Sequence, residues 1–295
     1  MKRILIIGKN SYIGTSLEQW LKNFPKKYEI KSISLRDDSW EEEDFSVYDA
    51  VYHVSGIAHI KETEKIKDLY YRVNRDLTYE VAKKSKKEGV KQFIFLSTMS
   101  VYGLESGVIN EDTPLRPKSD YGKSKLQAEE LIKPLGDDDF KITIIRPPMV
   151  YGKGCKGNYP RLAKLAKMTP IFPYIDNKRS MIYIDSLSEF VRLLIDDSVS
   201  GLFLPQNKEY VNISEMVKLI AESHGKNLRL TKLFNWAIAI GLVLSETFRK
   251  VFGSLIYDKE MQGGPGILIN KSDYLDYETF SFEESIRVTE YKEKF

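Results

Sequence analysis

The sequence has few of the residues from which disulfides and metal sites are built. Its 295 residues include one cysteine, Cys155, so no disulfide can form within the chain, and this usage is typical of a reducing cytoplasm. The three histidines, His53, His59 and His224, lie too far apart in sequence to indicate a zinc site. We therefore expect a cytoplasmic protein that holds no metal ion.

Neither sign of charge dominates, and long apolar runs are missing. The 45 Lys and Arg residues against 42 Asp and Glu residues give a formal net charge of +3, which disfavours a nucleic-acid-binding protein. The apolar stretch Trp236–Leu244 is far shorter than the roughly 20 residues of a membrane-spanning helix, so stable membrane insertion is not expected. We predict a largely buried helix there, with a helix that leans on a membrane as the alternative. The apolar run after Lys2 and Arg3 enters a glycine turn, so no signal peptide is expected.

A glycine turn near the N-terminus gives the first indication of a function. Arg3–Ile7 is an apolar, strand-like run, and a helical pattern follows from about Gly14. A strand, a glycine turn and a helix N-terminus together form a site for the pyrophosphate of a dinucleotide. The turn residues are therefore predicted to bind a cofactor: Gly8, Asn10, Ser11, Tyr12, Ile13 and Gly14.

A second feature combines a strand end with a Tyr/Lys pair. The apolar run Lys91–Leu96 predicts a buried parallel strand, and hydroxyl residues follow it in the segment Ser97–Gly103. Such positions lie where open α/β sheets bind ligands. Tyr121 and Lys125 come next on a predicted helix, one turn apart on the same face. A lysine ammonium beside a phenol lowers the tyrosine pKa, which gives an acid/base catalyst near neutral pH.

The same Tyr/Lys spacing occurs at two other places. Tyr79 and Lys83 lie within a predicted helix that has no strand-end hydroxyl before it, and Tyr174 and Lys178 lie in a predicted loop. We interpret both as surface pairs.

Short apolar runs alternate with helical patterns over residues 1–150, which indicates βαβ units and a parallel sheet covered on both faces. The predicted fold class is α/β, a Rossmann-like doubly wound parallel sheet with a smaller mixed α/β substrate-binding domain. We assign residues 1–150, together with 180–200, to the NAD(P)-binding domain, and residues 151–179 and 201–295 to the substrate domain. Further predicted elements are strands at Glu29–Leu35, Ala50–Val54, Gln92–Leu96 and Ile142–Ile145, and helices at Gly14–Asn23, Lys65–Glu88 and Tyr121–Ile132.

Four segments resemble the motifs of one enzyme family. Gly8–Gly14 resembles Gly-x-x-Gly-x-x-Gly, Leu96–Gly103 resembles Ser-Ser-x-x-Val-Tyr-Gly, Tyr121–Lys125 matches Tyr-x-x-x-Lys, and Ile145–Gly152 resembles Arg-Pro-x-x-Val-Tyr-Gly. Their order and separations are similar to those of extended short-chain dehydrogenase/reductases that act on nucleotide sugars, the NAD-dependent epimerase/dehydratase family. The similarity covers roughly residues 1–185, and more loosely the rest.

The resemblance implies roles for individual residues. Thr98 would hydrogen-bond the reacting sugar oxygen, Tyr121 would move its proton, and Lys125 would hold the cofactor ribose and tune Tyr121. Arg179 would contact the substrate phosphates, although a surface ion pair with Asp176 or Asp185 explains it equally well. The other expected cofactor contacts are Ser55, Gly56, Asn74 and Pro148, with a helix N-cap as the alternative for Asn74; the other expected substrate contacts are Ser100, Tyr102 and Asn158.

Two positions depart from the family pattern. Ser11 replaces the middle glycine, and its Cβ is expected to crowd the backbone at the pyrophosphate and weaken binding. Arg36 stands where an NAD-selective enzyme places an acid, and an arginine suits the 2′-phosphate of NADP. Asp37 would instead hold the ribose of NAD if the second strand ended one residue later. The expected cofactor is NADP or NAD, with NADP favoured. The short stretch Asp37–Asp49 leaves little room for a full third strand and helix.

These features predict an oxidoreductase acting at C4 of a nucleotide-linked hexose. The favoured activity is a 4-keto-reductase of a UDP-4-keto-6-deoxy-N-acetylhexosamine in capsular polysaccharide biosynthesis. The alternatives are a UDP-glucose or UDP-N-acetylglucosamine 4-epimerase with tightly bound NAD, and an idle NAD(P)H-binding sensor or scaffold. The resemblance also implies a homodimer formed by the helices at Lys65–Glu88 and Tyr121–Lys133. Val81, Leu126 and Leu131 are candidate contacts, which core packing explains equally well.

Overall fold

The computed structural model describes residues 1–58, 63–233, 235–261 and 276–291. His59 lies outside them. The strands are β1 (Lys2–Ile7), β2 (Tyr28–Ile33), β3 (Ala50–His53), β4 (Gln92–Leu96), β5 (Gly107–Ile109), β6 (Lys141–Ile145), β7 (Met149–Tyr151), β8 (Ile171–Pro173), β9 (Met181–Tyr183), β10 (Gly201–Phe203), β11 (Arg229–Thr231) and β12 (Leu255–Tyr257). The helices are α1 (Tyr12–Leu21), α2 (Glu64–Tyr71), α3 (Leu77–Lys87), α4 (Asp120–Ile132), α5 (Asn158–Met168), α6 (Ile184–Asp197), α7 (Ile213–Ser223), α8 (Asn235–Leu244), α9 (Glu246–Phe252) and α10 (Phe282–Glu290).

Six strands form a central sheet in the order β10-β6-β4-β3-β1-β2, and every neighbouring pair is parallel. Side chains alternate between its two faces, as the pleat requires. Leu5 and Ile7 of β1 pack in one apolar cluster with residues of α3 and α4, whereas Ile4 and Ile6 pack in another with residues of α1 and α6. The predicted α/β class with a doubly wound parallel sheet is confirmed.

Residues 38–47 contain only two short 3-10 turns, Asp38–Glu41 and Phe45–Val47, so no strand or full helix lies between β2 and β3. This confirms the expectation that the stretch is too short for a third strand and helix. Strand β2 ends at Ile33, two residues before the predicted Leu35.

The second half of the chain adds three short parallel strand pairs, β7 with β9, β8 with β11 and β5 with β12. Helices α5, α7 and α10 share an apolar cluster with the β7–β9 pair. Strand β10 pairs with β6 of the large sheet, although the predicted domain division places residue 201 with the substrate part. The division into two domains stays a prediction.

The predicted helix Lys65–Glu88 is interrupted. A π-helical turn at Arg72–Asp76 separates α2 from α3 and includes the buried Asn74. Helix α7 is capped by Asn212, whose side chain accepts the Ser214 and Glu215 amides.

Helix α8 differs from its prediction in burial. Trp236, Ile240, Val243 and Leu244 all expose at least half of their surface, so this apolar helix is not largely buried. In the described ranges, no helix combines the length and the apolar character needed to cross a membrane.

Candidate active site

The glycine turn joins β1 to α1 at the carboxyl end of the sheet. Gly8 has φ +136°, and a side chain there would come within 2.7 Å of Val54 Cγ2, so only glycine fits. Asn10 has φ +66°, a left-handed conformation that asparagine tolerates better than most residues. The turn thus places backbone groups at the N-terminus of α1, where helix dipole and free amides favour an anion.

Ser11 has a structural role that the sequence analysis missed. Its hydroxyl caps α1 by accepting the Gly14 amide at 3.1 Å. Tyr12 begins the helix, and its hydroxyl lies close to the loop after β7, since a Cβ on Gly152 would be 2.7 Å from it. The predicted weakening of cofactor binding by Ser11 stays a prediction.

Thr98, Tyr121 and Lys125 are positioned by β4 and α4. The Thr98 side chain hydrogen-bonds Tyr121 and also accepts the Ser100 amide at 3.1 Å. Helix α4 packs closely on this strand end because Gly122 has no side chain; a Cβ there would lie 2.8 Å from the Ser100 carbonyl oxygen. Lys125 Nζ donates to the Leu96 carbonyl at 2.9 Å. The structure therefore brings together the three residues predicted to be catalytic.

The pKa values of Tyr121 and Lys125 differ from the prediction. Burial raises the pKa of Tyr121, and the hydrogen bond from Thr98 opposes this rise only in part. Burial also lowers the pKa of Lys125 to about 7, with Glu129 acting in the opposite direction. The raised Tyr121 pKa is the opposite of the lowering that was expected from Lys125.

Asn74 fixes the loop after β3. Its Oδ1 accepts the Ile57 amide at 2.7 Å, and its Nδ2 donates to the Ile57 carbonyl and to Ser124 Oγ of α4, each at 3.1 Å. A side chain on Gly56 would lie 3.0 Å from Asn74 Oδ1 and 3.2 Å from Lys125 Nζ. Asn74 thus orders active-site backbone and is not a helix N-cap. Ser55 and Gly56 lie at the same sheet edge as the glycine turn, as expected for cofactor contacts.

A buried ion pair lies behind these residues, and the sequence analysis assigned it no role. Arg146 Nε donates to Glu129 Oε1 at 2.9 Å and Nη2 donates to Oε2 at 2.5 Å, with side-chain exposures of 3% and 0%. Ser97 donates to the same carboxylate. Glu129 lies one turn after Lys125, and Ser97 precedes Thr98, so the pair ties the lysine-bearing helix to the threonine-bearing strand end. The spacing of Lys125 and Glu129 on one helix face was a signal available in the sequence.

Tyr102 is committed to this network. Its hydroxyl accepts from Arg146 Nη1 at 2.9 Å, and its ring packs edge-on against Tyr257. The side chain is buried and its hydroxyl serves the Arg146 guanidinium; the contact of Tyr102 with substrate stays a prediction. Ser100, by contrast, is exposed beside Thr98.

Arg36 and Asp37 stand three and four residues beyond the end of β2. The Arg36 side chain is exposed. The Asp37 carboxylate accepts the amide and the hydroxyl of Ser39 as a cap of the following turn, and these bonds lower the pKa of Asp37. The aspartate is thus engaged in its own turn, while the arginine faces solvent.

Arg179 is a half-buried cation. Its Nη1 donates to the Gly253 carbonyl at 2.6 Å, and burial lowers its pKa to about 10. In the described part of the chain no carboxylate forms an ion pair with it, so the alternative of a pair with Asp176 or Asp185 is not what the structure has. Asn158 begins α5, and Pro148 is buried between β6 and β7.

The remaining candidates have structural surroundings. Lys83 lies 5.4 Å from the Tyr79 ring on the surface of α3, and Tyr174 faces Lys232 at 5.6 Å. His53 is buried with Nε2 at 2.9 Å from Thr78 Oγ1, and burial lowers its pKa to about 3. Among the described residues, no three His, Cys, Asp or Glu side chains are grouped to hold a metal ion.

Comparison with known proteins identifies the family. The sequence model described as the NAD dependent epimerase/dehydratase family matches residues 4–204. A UDP-glucose 4-epimerase from Vibrio cholerae is 29% identical over 279 residues, which cover 85% of this chain and 83% of the relative. An N-acetyl-alpha-D-glucosaminyl-diphospho-ditrans,octacis-undecaprenol 4-epimerase from Escherichia coli O157:H7 is 28% identical over 76% of this chain and 73% of its own.

Solved structures share the fold over nearly the whole chain. The UDP-glucuronic acid 4-epimerase from Bacillus cereus, in complex with NAD, has a TM-score of 0.72 at 21% identity and covers 98% of this chain and 95% of its own. The dTDP-4-dehydrorhamnose reductase from Bacillus anthracis, in complex with NADP, has a TM-score of 0.66 at 21% identity and covers 98% of each chain. The resemblance found in the four motifs is confirmed. The chain belongs to the NAD-dependent epimerase/dehydratase family, and it is an NAD(P)-dependent nucleotide-sugar enzyme of the extended short-chain dehydrogenase/reductase type.

Proposed function

We propose that the protein reduces the 4-keto group of a UDP-linked 4-keto-6-deoxy-N-acetylhexosamine, as a cytoplasmic, homodimeric enzyme of surface polysaccharide biosynthesis. The observation that carries the proposal is the hydrogen-bonded pair of Thr98 and Tyr121, with Lys125 one turn along α4. When bound, the nicotinamide cofactor supplies the hydride for C4. The chain's own residues position the sugar and supply the proton.

Tyr121 is the proton donor to the 4-oxygen. Because burial raises its pKa, the phenol keeps its proton at neutral pH, as a general acid must before it acts. Thr98 holds the same oxygen through its hydroxyl. The phenolate that remains after proton transfer lies near Lys125, and a negative neighbour favours the charged form of this lysine. This interaction would oppose the burial that lowers the Lys125 pKa to about 7.

The proposed cofactor contacts follow the order of the sheet. The turn from Gly8 to Gly14 receives the pyrophosphate, and Lys125 with the Asn74-ordered loop at Ser55 and Gly56 receives the nicotinamide end. Arg36 supports NADP over NAD, because an exposed guanidinium suits a 2′-phosphate and the Asp37 carboxylate is engaged by Ser39.

On the substrate side, Arg179 is the proposed diphosphate contact. Its guanidinium is half-buried and has a carbonyl but no described carboxylate as partner, so a phosphate oxygen would supply the missing negative charge. Ser100 and Asn158 remain proposed contacts. The diphosphate is also present in the undecaprenol-linked substrate named for the E. coli relative, so this contact does not depend on a nucleoside.

A 4-epimerase is the second candidate, and it is favoured by the names of the V. cholerae and E. coli relatives. It would use the same proton transfer, with Tyr121 acting first as a base and then as an acid.

Val81 and Leu126 pack in the core, which leaves Leu131 as the exposed apolar side chain among the three proposed dimer contacts.

The test is an assay with a UDP-4-keto-6-deoxy-N-acetylhexosamine and NADPH. We expect stoichiometric NADPH oxidation and a new C4 hydroxyl by nuclear magnetic resonance. Tyr121→Phe should lower kcat by about 10²–10⁴-fold, because the proton donor is removed. Tyr79→Phe, which alters a surface Tyr/Lys pair of the same spacing, is the matched control and should leave kcat unchanged. Full turnover by Tyr121→Phe would contradict the assignment and favour a sensor or scaffold.

A further inference from the structure

Helix α8 presents an apolar face that has no partner among the described residues. Trp236, Ile240, Val243 and Leu244 are spaced i, i+4, i+7 and i+8, so they share one side of the helix. Their exposed fractions are 68%, 51%, 76% and 79%, and Leu233 just before the helix is 78% exposed. Contiguous apolar surface of this kind marks an interaction site in a folded protein.

The opposite side of α8 is fixed to the protein. Gly241 packs so closely on Phe248 of α9 that a side chain at this glycine would lie 2.6 Å from the ring. Arg249 Nη1 donates to the carbonyls of Leu242 and Val243 at 3.0 and 2.9 Å, which caps the last turn of α8. The apolar face is therefore held outward by α9.

The sequence segment that contains α8 is rich in basic residues. From Lys226 to Lys250 the sequence has five basic residues, Lys226, Arg229, Lys232, Arg249 and Lys250, against one acidic residue, Glu246. Within α8 itself there is no charged residue. Arg249 and Lys250, on the helix that follows α8, both lie within ion-pair distance of Glu105.

A short chain of hydrogen bonds connects this face to the candidate substrate site. Arg179 Nη1 donates to the Gly253 carbonyl, the Gly253 amide donates to the Arg249 carbonyl, and Arg249 in turn caps α8. Glu105, the ion-pair partner of Arg249, follows the turn that carries Thr98 and Ser100 by a few residues. These bonds join α8 and α9 to Arg179, the proposed diphosphate contact.

We propose that the outer face of α8, flanked by its basic residues, docks the enzyme on the surface of an anionic phospholipid bilayer. Apolar side chains with a tryptophan enter the lipid interface, and lysine and arginine side chains meet anionic headgroups. A second copy of the chain is the less suitable occupant, because a two-fold contact would oppose two surfaces with the same excess of positive charge. Docking through α8 would turn the Arg179 side of the site towards the membrane. The inference rests on the proposed function only for this last consequence.

The test is cosedimentation of the full chain with vesicles of phosphatidylcholine and phosphatidylglycerol in a roughly 3:1 ratio. We expect the protein to sediment with these vesicles, less with phosphatidylcholine alone, and less at high salt. The double variant Val243→Gln/Leu244→Gln should lose about tenfold in vesicle affinity. The control Val288→Gln/Tyr291→Gln changes two exposed apolar residues of the α10 region and should bind like the parent.

Two further readouts identify what occupies the face. Trp236 emission should shift to shorter wavelength on vesicle addition. Trp236→Phe should remove the shift, since Trp40 is buried and Trp20, on α1, is held by its hydrogen bond to Glu189. No binding of the parent chain to anionic vesicles would overturn the proposal. So would a parent dimer that becomes monomeric in Val243→Gln/Leu244→Gln, which would assign the face to a second copy.

Turnover of the soluble UDP-4-keto sugar without vesicles separates this proposal from the function. It should be equal in the parent and in Val243→Gln/Leu244→Gln. Vesicle binding without turnover would refute the proposed function and leave the docking surface standing. Turnover without vesicle binding would refute the docking surface and leave the proposed function standing.

Discussion

Removing the charge of Glu129 should strongly destabilise the protein. The carboxylate accepts two hydrogen bonds from Arg146 and one from Ser97, and neither side chain of the ion pair is more than 3% exposed. Glu129→Gln keeps the shape but leaves a buried guanidinium without its counter-charge, which costs about 3–5 kcal/mol. In a chain of this size we expect the midpoint of thermal unfolding to fall by roughly 6–15 °C.

Glu283→Gln is the matched control, because Glu283 pairs with Arg287 on the surface, with exposures of 54% and 68%. It should change stability by less than about 1 kcal/mol. Glu129→Gln combined with Arg146→Met should be less destabilised than the sum of the single variants, since both charges are then absent. Scanning calorimetry and urea titration of the parent and the four variants, Arg146→Met included, measure these differences. A Glu129→Gln protein that melts within about 1 °C of the parent would refute the reasoning.

Two other predictions concern Lys125 and Arg36. Because burial lowers the Lys125 pKa from 10.5 to about 7, the unfolded chain binds more protons between these values, and unfolding free energy should rise with pH there. Compared with Lys125→Met, the parent should gain roughly 1–3 kcal/mol of unfolding free energy between pH 7 and pH 9, measured by urea titration. If the unfolding free energies of the two proteins had equal slopes against pH, the lowered pKa of Lys125 would be contradicted. Arg36→Ala should weaken NADPH binding by about tenfold and leave NADH binding unchanged, measured by calorimetry. An unaltered preference would show that Arg36 does not contact the 2′-phosphate.

Much of the fold was predictable because its signals are local. The runs at Arg3–Ile7 and Gln92–Leu96 are apolar over the length of a buried strand, and the glycine turn follows at once. Thr98, Tyr121 and Lys125 could be selected because each stands at a fixed place relative to a strand end or helix start. The same spacing at Tyr79/Lys83 lacks that context, and the structure puts this pair on the surface.

The features that were missed depend on residues distant in sequence. The pKa direction of Tyr121 follows from burial by the assembled site, which spacing on a helix cannot give. The π-helical turn around Asn74 is accompanied by bonds to Ile57 and Ser124, 17 and 50 residues away. The exposure of α8 could not be predicted because an apolar sequence alone does not determine how much of the helix surface packs against the rest of the protein.

The most direct test of the proposed reductase is the cofactor carried by the freshly purified protein. Denaturation followed by chromatography of the released nucleotides measures its identity and amount. A reductase that takes its cofactor from solution should release far less than one nucleotide per chain and should bind added NADPH. Near-stoichiometric NAD would contradict this account and favour a 4-epimerase that recycles its cofactor in place.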